Sequence, residues 1–270
     1  LSENGYPGRG VVLGRFEQDH WGGLYWIMGR SANSRNRCLR YENEILRTEP
    51  ADPALVEDPS LILYNAIKRW DKTLVVSNGS QTDVIVESLK KGKNLAEGMD
   101  SQYHEPDEPN FTPRISGILD LRKSTPQIWL SSLRKSQIVD SESDHAIYHY
   151  RQFAEGLGVG LTTYLHNGSP LPTYDRPPMI LPLVGNLKEI VEQYWKCLQS
   201  EHLISLAGFR IDNFSLEQEM HIINRYEPKS YKPNDEQSAL FNGFILEPGE
   251  ITRRYDELVD GNVDISFDLT

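Results

Sequence analysis

Thr73-Leu74-Val75-Val76-Ser77-Asn78-Gly79-Ser80-Gln81-Thr82-Asp83 is the stretch on which the reading of this chain turns. Its first five residues, apolar and rich in β-branched side chains, predict a strand. Asn78-Gly79-Ser80 is turn chemistry, and a helical period begins directly after it. Ser80 followed three residues later by Asp83 resembles an N-terminal capping box, and Lys90, Lys91, Gly92 and Lys93 suit the other end of that helix. One strand-to-helix turn is therefore well marked, and the rest of the chain can be read outward from it.

Upstream, Leu61 to Trp70 is strand-like, and Gly10 to Phe16 and Gly23 to Ser31 predict a hairpin turning around Asp19 to Gly22. Downstream, a polar, proline-bearing loop from Gln102 to Pro113 leads into four strand-like runs: Arg114 to Leu121, Gln127 to Leu133, Ala146 to Phe153 and Val159 to Leu165. Leu187, Ile190, Val191, Tyr194, Trp195 and Leu198 then recur at the spacing of one helical face, with Asn186 and Glu189 placed to cap its start. A further strand is expected over Leu203 to Asp212, and from Tyr226 onward the chain turns rich in proline, asparagine and acids. There is no internal repeat. A single domain over 1–270 is expected, with 228–270 a C-terminal extension or arm.

The composition narrows the function classes. With 270 residues, 38% hydrophobic and 25% charged, the chain is long enough to bury a full core and is ordinary globular protein. Its longest apolar runs, such as Ile180 to Val184, fall far short of the ~20 residues that cross a bilayer. No basic-then-apolar leader opens it, so a cytoplasmic protein without a membrane partner is expected. Cys38 and Cys197 have no CxxC partner, which argues against disulfide staples and structural zinc. A formal charge of −11 repels polyphosphate backbones, so no nucleic-acid partner is expected. The exception is local: Arg30, Arg35, Arg37, Arg40 and Arg47 crowd one segment with only Glu42 and Glu44 to offset them. Such a patch in an acidic protein suggests one small anion.

Four stretches can carry chemistry. In Gly29-Arg30-Ser31-Ala32-Asn33-Ser34-Arg35-Asn36-Arg37, guanidinium forks match phosphate oxygens and the Ser31 and Ser34 hydroxyls add donors. On an extended backbone Arg35 and Arg37 would share a face; the plainer alternative is a solvated charge run. Asn78-Gly79-Ser80-Gln81-Thr82-Asp83 puts polar side chains and free backbone N–H groups at a helix start, able to hold an anion or orient an amide, or simply to cap the helix. In Thr112-Pro113-Arg114-Ile115 an arginine opens a strand after a loop bearing Glu105, Asp107 and Glu108, acids that are as readily explained by solvation. Tyr64-Asn65 lies in a strand-like run, where a tyrosine packed on a sheet is the simpler explanation. The chain has no nucleophile elbow, P-loop, dinucleotide glycine fingerprint or His-Glu-x-x-His motif. His145 and His149 fall in a strand-like run, too far apart along it for an easy ligand pair, so no metal is expected.

Taken in order, Tyr6-Pro7-Gly8-Arg9-Gly10, Gly29-Arg30-Ser31 with Asn36-Arg37, Leu63-Tyr64-Asn65-Ala66, Asn78-Gly79-Ser80-Gln81-Thr82-Asp83 and Thr112-Pro113-Arg114-Ile115 resemble the successive motifs of archaeal-type IMP cyclohydrolases. The likeness covers roughly the N-terminal half and fades after Leu121. It implies an α+β fold, a four-layer α/β/β/α sandwich like that of the N-terminal-nucleophile hydrolases, used without a terminal nucleophile. The implied reaction is ring closure of 5-formamidoimidazole-4-carboxamide ribonucleotide to inosine monophosphate with loss of water. No cofactor is implied, the partner is a small-molecule purine nucleotide precursor, and a homo-oligomer is left open.

That chemistry asks for donors. A carboxamide nitrogen is a poor nucleophile that must be held against the formyl carbon while charge grows on the formyl oxygen. Through the resemblance, Arg30 and Tyr64 are assigned to the reacting base, Arg30 polarising a carbonyl and Tyr64 relaying a proton, and Glu105 or Glu108 is the carboxylate base. Arg9, Arg35 and Arg37 are the candidates for the 5'-phosphate, with Ser31 and Asn36 beside them. Asn65, Asn78, Gly79, Thr82, Asp83 and Arg114 are expected to orient the amide or ribose. Two other readings stand beside this one: another amidohydrolase on the same fold, and a nucleotide-binding regulatory protein without turnover.

Overall fold

A computed structural model describes residues 1–56, 62–198 and 201–228. In chain order the elements are strands β1 (Gly10–Arg15) and β2 (His20–Met28), helix α1 (Ala32–Arg35), β3 (Cys38–Glu42), β4 (Ile45–Glu49), β5 (Asn65–Trp70) and β6 (Thr73–Ser77). Helices α2 (Gln81–Lys90) and α3 (Leu95–Met99) precede β7 (Arg114–Asp120), β8 (Gln127–Lys135), β9 (Ser143–Tyr150), β10 (Leu157–Thr162) and β11 (Met179–Pro182). Helix α4 (Leu187–Cys197), β12 (Leu203–Asp212) and β13 (Gln218–Asn224) complete them. The strands form two antiparallel sheets, one of six strands in the order β11-β10-β1-β2-β12-β13 and one of seven running β3 to β9 in sequence order.

Strand alternation explains the layering. On β1, β2 and β12 the residues Val11, Leu13, Tyr25, Ile27, Ala207 and Phe209 face the second sheet, meeting Leu74, Val76, Ile115, Leu119 and Leu130 in one shared core. Each large apolar side chain taken fully from water there contributes roughly 1.5–3 kcal/mol before chain entropy is set against it. β7 can approach β1 because position 117 is glycine: a Cβ there would lie 2.7 Å from Leu13 Cδ1 and 3.2 Å from Val11 Cγ1. The alternate residues point outward. Val12, Leu24 and Trp26 pack under Leu187, Ile190, Val191 and Tyr194 of α4, and Val75, Ile118 and Leu133 under Ile85, Val86 and Leu89 of α2 with Leu95 and Met99 of α3.

The expected four-layer α/β/β/α sandwich is corrected by this arrangement: the protein is β-rich. Among the described residues thirteen strands stand against α-helices of 4, 10, 5 and 11 residues. Six strands at about 4.8 Å spacing are roughly 25 Å across, whereas a helix covers about 10 Å, so one helix on one sheet and a short pair on the other patch the outer faces without making layers.

Local expectations fared unevenly. The β1–β2 hairpin is present, but its turn, with Gln18 and Asp19 at φ +58° and +57°, lies before His20. Residues 20–22, expected in the turn, therefore open β2, which ends at Met28 short of the expected Ser31. Helix α4 has its capping box, Glu189 N donating to Asn186 Oδ1 at 2.9 Å and the Glu189 carboxylate accepting from Asn186 N at 3.3 Å. At α2 the box expected from Ser80 and Asp83 is not made: Ser80 is itself helical and its side chain caps nothing, because Asp83 is occupied by Asn65 and Lys68. The run expected from Leu61 becomes a strand only at Asn65, and residue 61 lies outside the described residues. Strands β3, β4, β11 and β13 and the short helices α1 and α3 were not foreseen. The extension expected over 228–270 lies, after residue 228, outside the described residues. Among the described residues no helix is long and apolar enough to cross a membrane, Cys38 and Cys197 are free thiols, and no group of three His, Cys, Asp or Glu side chains could hold a metal ion.

Candidate functional site

Arg9 is placed by the turn before β1. Gly8 has φ +74°, and a Cβ there would lie 2.1 Å from Thr163 Oγ1 and 2.6 Å from the Tyr164 ring, so the chain closes here only without a side chain. Arg9 N then donates to Thr163 Oγ1 at 3.1 Å and Arg9 O accepts from Thr163 N at 3.0 Å, fixing the backbone against the end of β10. The side chain turns inward and meets Glu105, Nη1 to Oε2 at 3.4 Å, with both side chains largely excluded from water at 11% and 7% exposure. Arg37, 2% exposed, enters the same region from the end of α1. Its Nε donates to Ser34 O at 2.9 Å, and its neighbour Asn36 clips the chain in place by exchanging bonds of 2.8 and 2.7 Å with the backbone of Asp52.

Between these groups lie two phenols, one from each sheet. Tyr25 on β2 and Tyr64 just before β5 share a hydroxyl–hydroxyl bond of 2.7 Å. The backbone of Tyr64 is held on both sides by Thr48 of β4, through Tyr64 N to Thr48 Oγ1 and Thr48 N to Tyr64 O, each 3.0 Å. Toward the outside, Tyr6 stacks on Tyr164, with ring centroids 5.9 Å apart. Tyr164 OH meets Thr112 Oγ1 at 2.5 Å, and Asp107 accepts from both the hydroxyl and the backbone N–H of Thr112. Exposed Arg30 lies over the Tyr6 ring at 5.2 Å, its Nη1 donating to Asn167 Oδ1 and Gly168 O at 2.8 and 2.7 Å.

The charge balance is the distinctive property. Burial works against the Arg9 cation, yet Glu105, and with it Tyr64, Tyr164 and Tyr25, holds it protonated well above the ordinary arginine range. Arg37 is shifted the other way, downward, by burial and then by Arg9. Burial also pushes the Tyr25 phenol well above its usual range, reinforced by Tyr64, and raises Tyr164 and Tyr6. Among the described residues two buried guanidiniums thus stand by one buried carboxylate, and Arg9 Nε and Arg37 Nη1 have no hydrogen-bond partner there. A buried positive surplus with open donors is costly unless an acceptor or anion meets it.

The other residues singled out from the sequence fall in several places. Asn78 Oδ1 accepts from Ile115 N at 2.8 Å and Gln81 Nε2 at 3.0 Å, Asn78 Nδ2 donates to Pro113 O at 2.9 Å, and Arg114 Nη1 donates to Gln81 Oε1 at 2.9 Å. These bonds tie the head of α2 to the start of β7 and are closed within the protein. Gly79 lets Arg114 pass, since a Cβ would lie 2.7 Å from its Nη1. Thr82 bonds Ser77, while Asp83 joins Asn65 and, at 2.6 Å, Lys68. Ser31 caps α1, Arg35 sits half-buried on that helix, and Glu108 is exposed. Because residues 32–35 are helical, Arg35 and Arg37 do not share a strand face. The arginine-rich segment also divides: Arg40 and Arg47 pair with Glu42 and Glu49 on the surface of β3 and β4. Tyr25 was missed, because in a strand reading it is one more inward-facing aromatic beside Ile27. Two concavities of about 430 Å³ lie elsewhere, one around Leu165, Tyr174 and Arg176 and one around Glu17, Glu155 and Val184. The second is lined by the carboxylates of Glu17 and Glu155, which disfavour an anion, and the first mainly by apolar side chains, so the two buried guanidiniums of Arg9 and Arg37 suit an anion better.

Fold and site together define a β-rich, two-sheet protein with a cationic polar cluster buried where its sheets meet. The chain belongs to the IMP cyclohydrolase-like protein family, which it matches over residues 6–215. It is 36% identical over 117 residues to the IMP cyclohydrolase of Methanocaldococcus jannaschii, covering 43% of this chain and 57% of that one. To the enzyme of the same name from Methanopyrus kandleri it is 32% identical over 119 residues, 43% of this chain and 59% of the relative. A longer match, 29% identical over 207 residues, joins 75% of this chain to 89% of the IMP cyclohydrolase of Haloquadratum walsbyi.

Proposed function

We propose that the protein is an IMP cyclohydrolase, closing 5-formamidoimidazole-4-carboxamide ribonucleotide to inosine monophosphate with loss of water. The observation that carries this reading is the open cluster: Arg9 paired with Glu105, Arg37 buried beside it, and Arg9 Nε and Arg37 Nη1 without a partner among the described residues, next to the Tyr25–Tyr64 phenols. In the reaction the carboxamide nitrogen forms a bond to the formyl carbon and the formyl π pair moves onto its oxygen. Fixed guanidinium donors and the Tyr64 hydroxyl in a water-poor site stabilise that oxygen without having to reorganise. Glu105 takes the proton that the carboxamide nitrogen sheds and Tyr64 gives one to the oxyanion. The C–O bond then breaks as Glu105 passes its proton to the departing water, while the formamido nitrogen forms the C=N bond and gives its proton back to Tyr64. Arg30 beside Tyr6 and Arg35 on α1 keep the solvent side, where a hydrated 5'-phosphate fits better than it does against Glu105. The fully bonded Asn78–Gln81–Arg114 group then holds the site's walls and does not touch the substrate. The membership of the IMP cyclohydrolase-like family supports the same chemistry.

The test is the ultraviolet spectrum of purified protein mixed with the formamido ribonucleotide. Appearance of the inosine monophosphate spectrum, reduced by more than a few-fold in Tyr64→Phe, is the expected result. Tight binding of the ribonucleotide with no product would make the chain a nucleotide-binding protein instead, and no binding would end the proposal.

A further inference from the structure

Tyr25 has no role in the chemistry so far. It is 0% exposed, on the inner face of β2, and among the described residues its hydroxyl has a single hydrogen-bond partner, the Tyr64 hydroxyl 2.7 Å away. Each phenol carries one proton, so only one of the two can donate in this bond. A buried hydroxyl left without an acceptor is strongly disfavoured, and Tyr25 has no other acceptor to turn to. The Tyr25 proton therefore lies in the bond, and the Tyr64 proton is directed away from it. Burial keeps the Tyr25 phenol neutral well above its usual range, so it has a proton to give. Tyr64 is 8% exposed and stands with Arg9, whose charge is supported by both phenols. Its backbone is already fixed by Thr48. What Thr48 leaves undetermined is where the hydroxyl at the ring's far end points.

We propose that Tyr25 is a positioning residue for Tyr64: by donating to the Tyr64 oxygen it aims the Tyr64 hydroxyl proton at the ligand held by Arg9 and Arg37. This rests on the cyclohydrolase reading given above. Donation into the Tyr64 oxygen has a second effect, because it stabilises the charge left there when Tyr64 gives its proton up, so the bond strengthens as transfer proceeds. A purely structural bridge between the sheets would have neither effect.

Initial rates are measured for the full chain and for Tyr25→Phe, Tyr64→Phe and the double variant, with melting temperatures alongside. Tyr25→Phe is expected to lower kcat about tenfold with KM unchanged, and the double variant to be no slower than Tyr64→Phe alone. Losses that multiply, or a loss confined to KM or tracking a fall in melting temperature, would overturn the proposal. Should Tyr25→Phe not fold, 3-fluorotyrosine at position 25 changes the donor and barely its shape; kcat must then change in the Tyr64 protein and not in Tyr64→Phe, and an unchanged kcat in both overturns it. If the unmodified chain makes no product, the cyclohydrolase reading fails separately, and the four proteins are titrated with inosine 5'-monophosphate by calorimetry. Affinity losses that are coupled between positions 25 and 64 uphold the aimed hydroxyl as a binding device; independent losses, or none, overturn it.

Discussion

Asn78, Gln81 and Arg114 at the head of α2, and Arg9, Arg37 and Glu105 at the meeting of the sheets, are buried to much the same degree. In the first group the side chains answer one another and the backbone of residues 103, 113 and 115. In the second, Arg9 pairs with Glu105, Arg37 lies near enough to feel both charges, and among the described residues two guanidinium nitrogens are unmet. Burial of polar residues therefore does not identify a site by itself. A network that closes on itself holds the fold, whereas one with surplus charge and open donors stores an unmet demand that a ligand can satisfy.

That contrast can be broken most forcefully at Glu105. Glu105→Gln leaves Arg9 and Arg37 without their carboxylate, and a loss of about 3–5 kcal/mol is expected in urea unfolding, as for other broken buried pairs. Millimolar inorganic phosphate should recover part of it by binding the folded state. An unaltered midpoint would mean that the two cations are not confined as described. In the closed network, Asn78→Ala strips an acceptor from Ile115 N and Gln81 Nε2, and about 1–3 kcal/mol should be lost with no recovery by phosphate. Recovery there would erase the distinction between the clusters. Outside both, Asn186→Ala removes the cap of α4 and sets the scale of an ordinary defect, about 1 kcal/mol by the same measurement.

The smallest effect expected is one of pH. Burial raises the Asp120 carboxyl, but the bonds from Arg122 outweigh it and leave the group below the usual carboxylate value. A folded-state value lower than the unfolded one, near 3.9, gives stability that is complete above that pH and is lost as the pH falls through the folded value. Acid unfolding of Arg122→Ala should accordingly begin at higher pH than that of the unaltered chain, and coincident curves would count against the pair.

Much of this was legible in the residues. Thr73–Ser77, the α4 face and the hairpin at β1 and β2 carry clean periods, and the structure follows them. The helical layers expected came only with the resemblance, and the structure lacks them: the residues carry one clear amphipathic run, at α4, too little to cover two sheets. β3 and β4 were hidden by their charges: Arg40, Glu42, Arg47 and Glu49 pair across the hairpin on its exposed face, so the segment reads as a charge cluster when it is a strand pair. Of the candidate site residues, Arg9, Arg37, Tyr64 and Glu105 meet in space although a run of nearly a hundred residues separates the first from the last. Nothing in spacing distinguishes them from Arg35 or Glu108, which stay nearer the solvent. Tyr25 is silent in the sequence, since its role depends on a partner from the opposite sheet.

The most direct measurement compares the rate of inosine monophosphate formation in Arg37→Met and Arg40→Met, two arginines three residues apart in one segment. If the open buried cluster is where the reaction occurs, Arg37→Met loses about a hundredfold or more, as removal of a fixed donor to a developing oxyanion does elsewhere, and Arg40→Met stays within a few-fold of the unaltered chain. Equal losses at the two positions, or a loss at Arg40 alone, would place the chemistry on the surface patch and contradict the assignment.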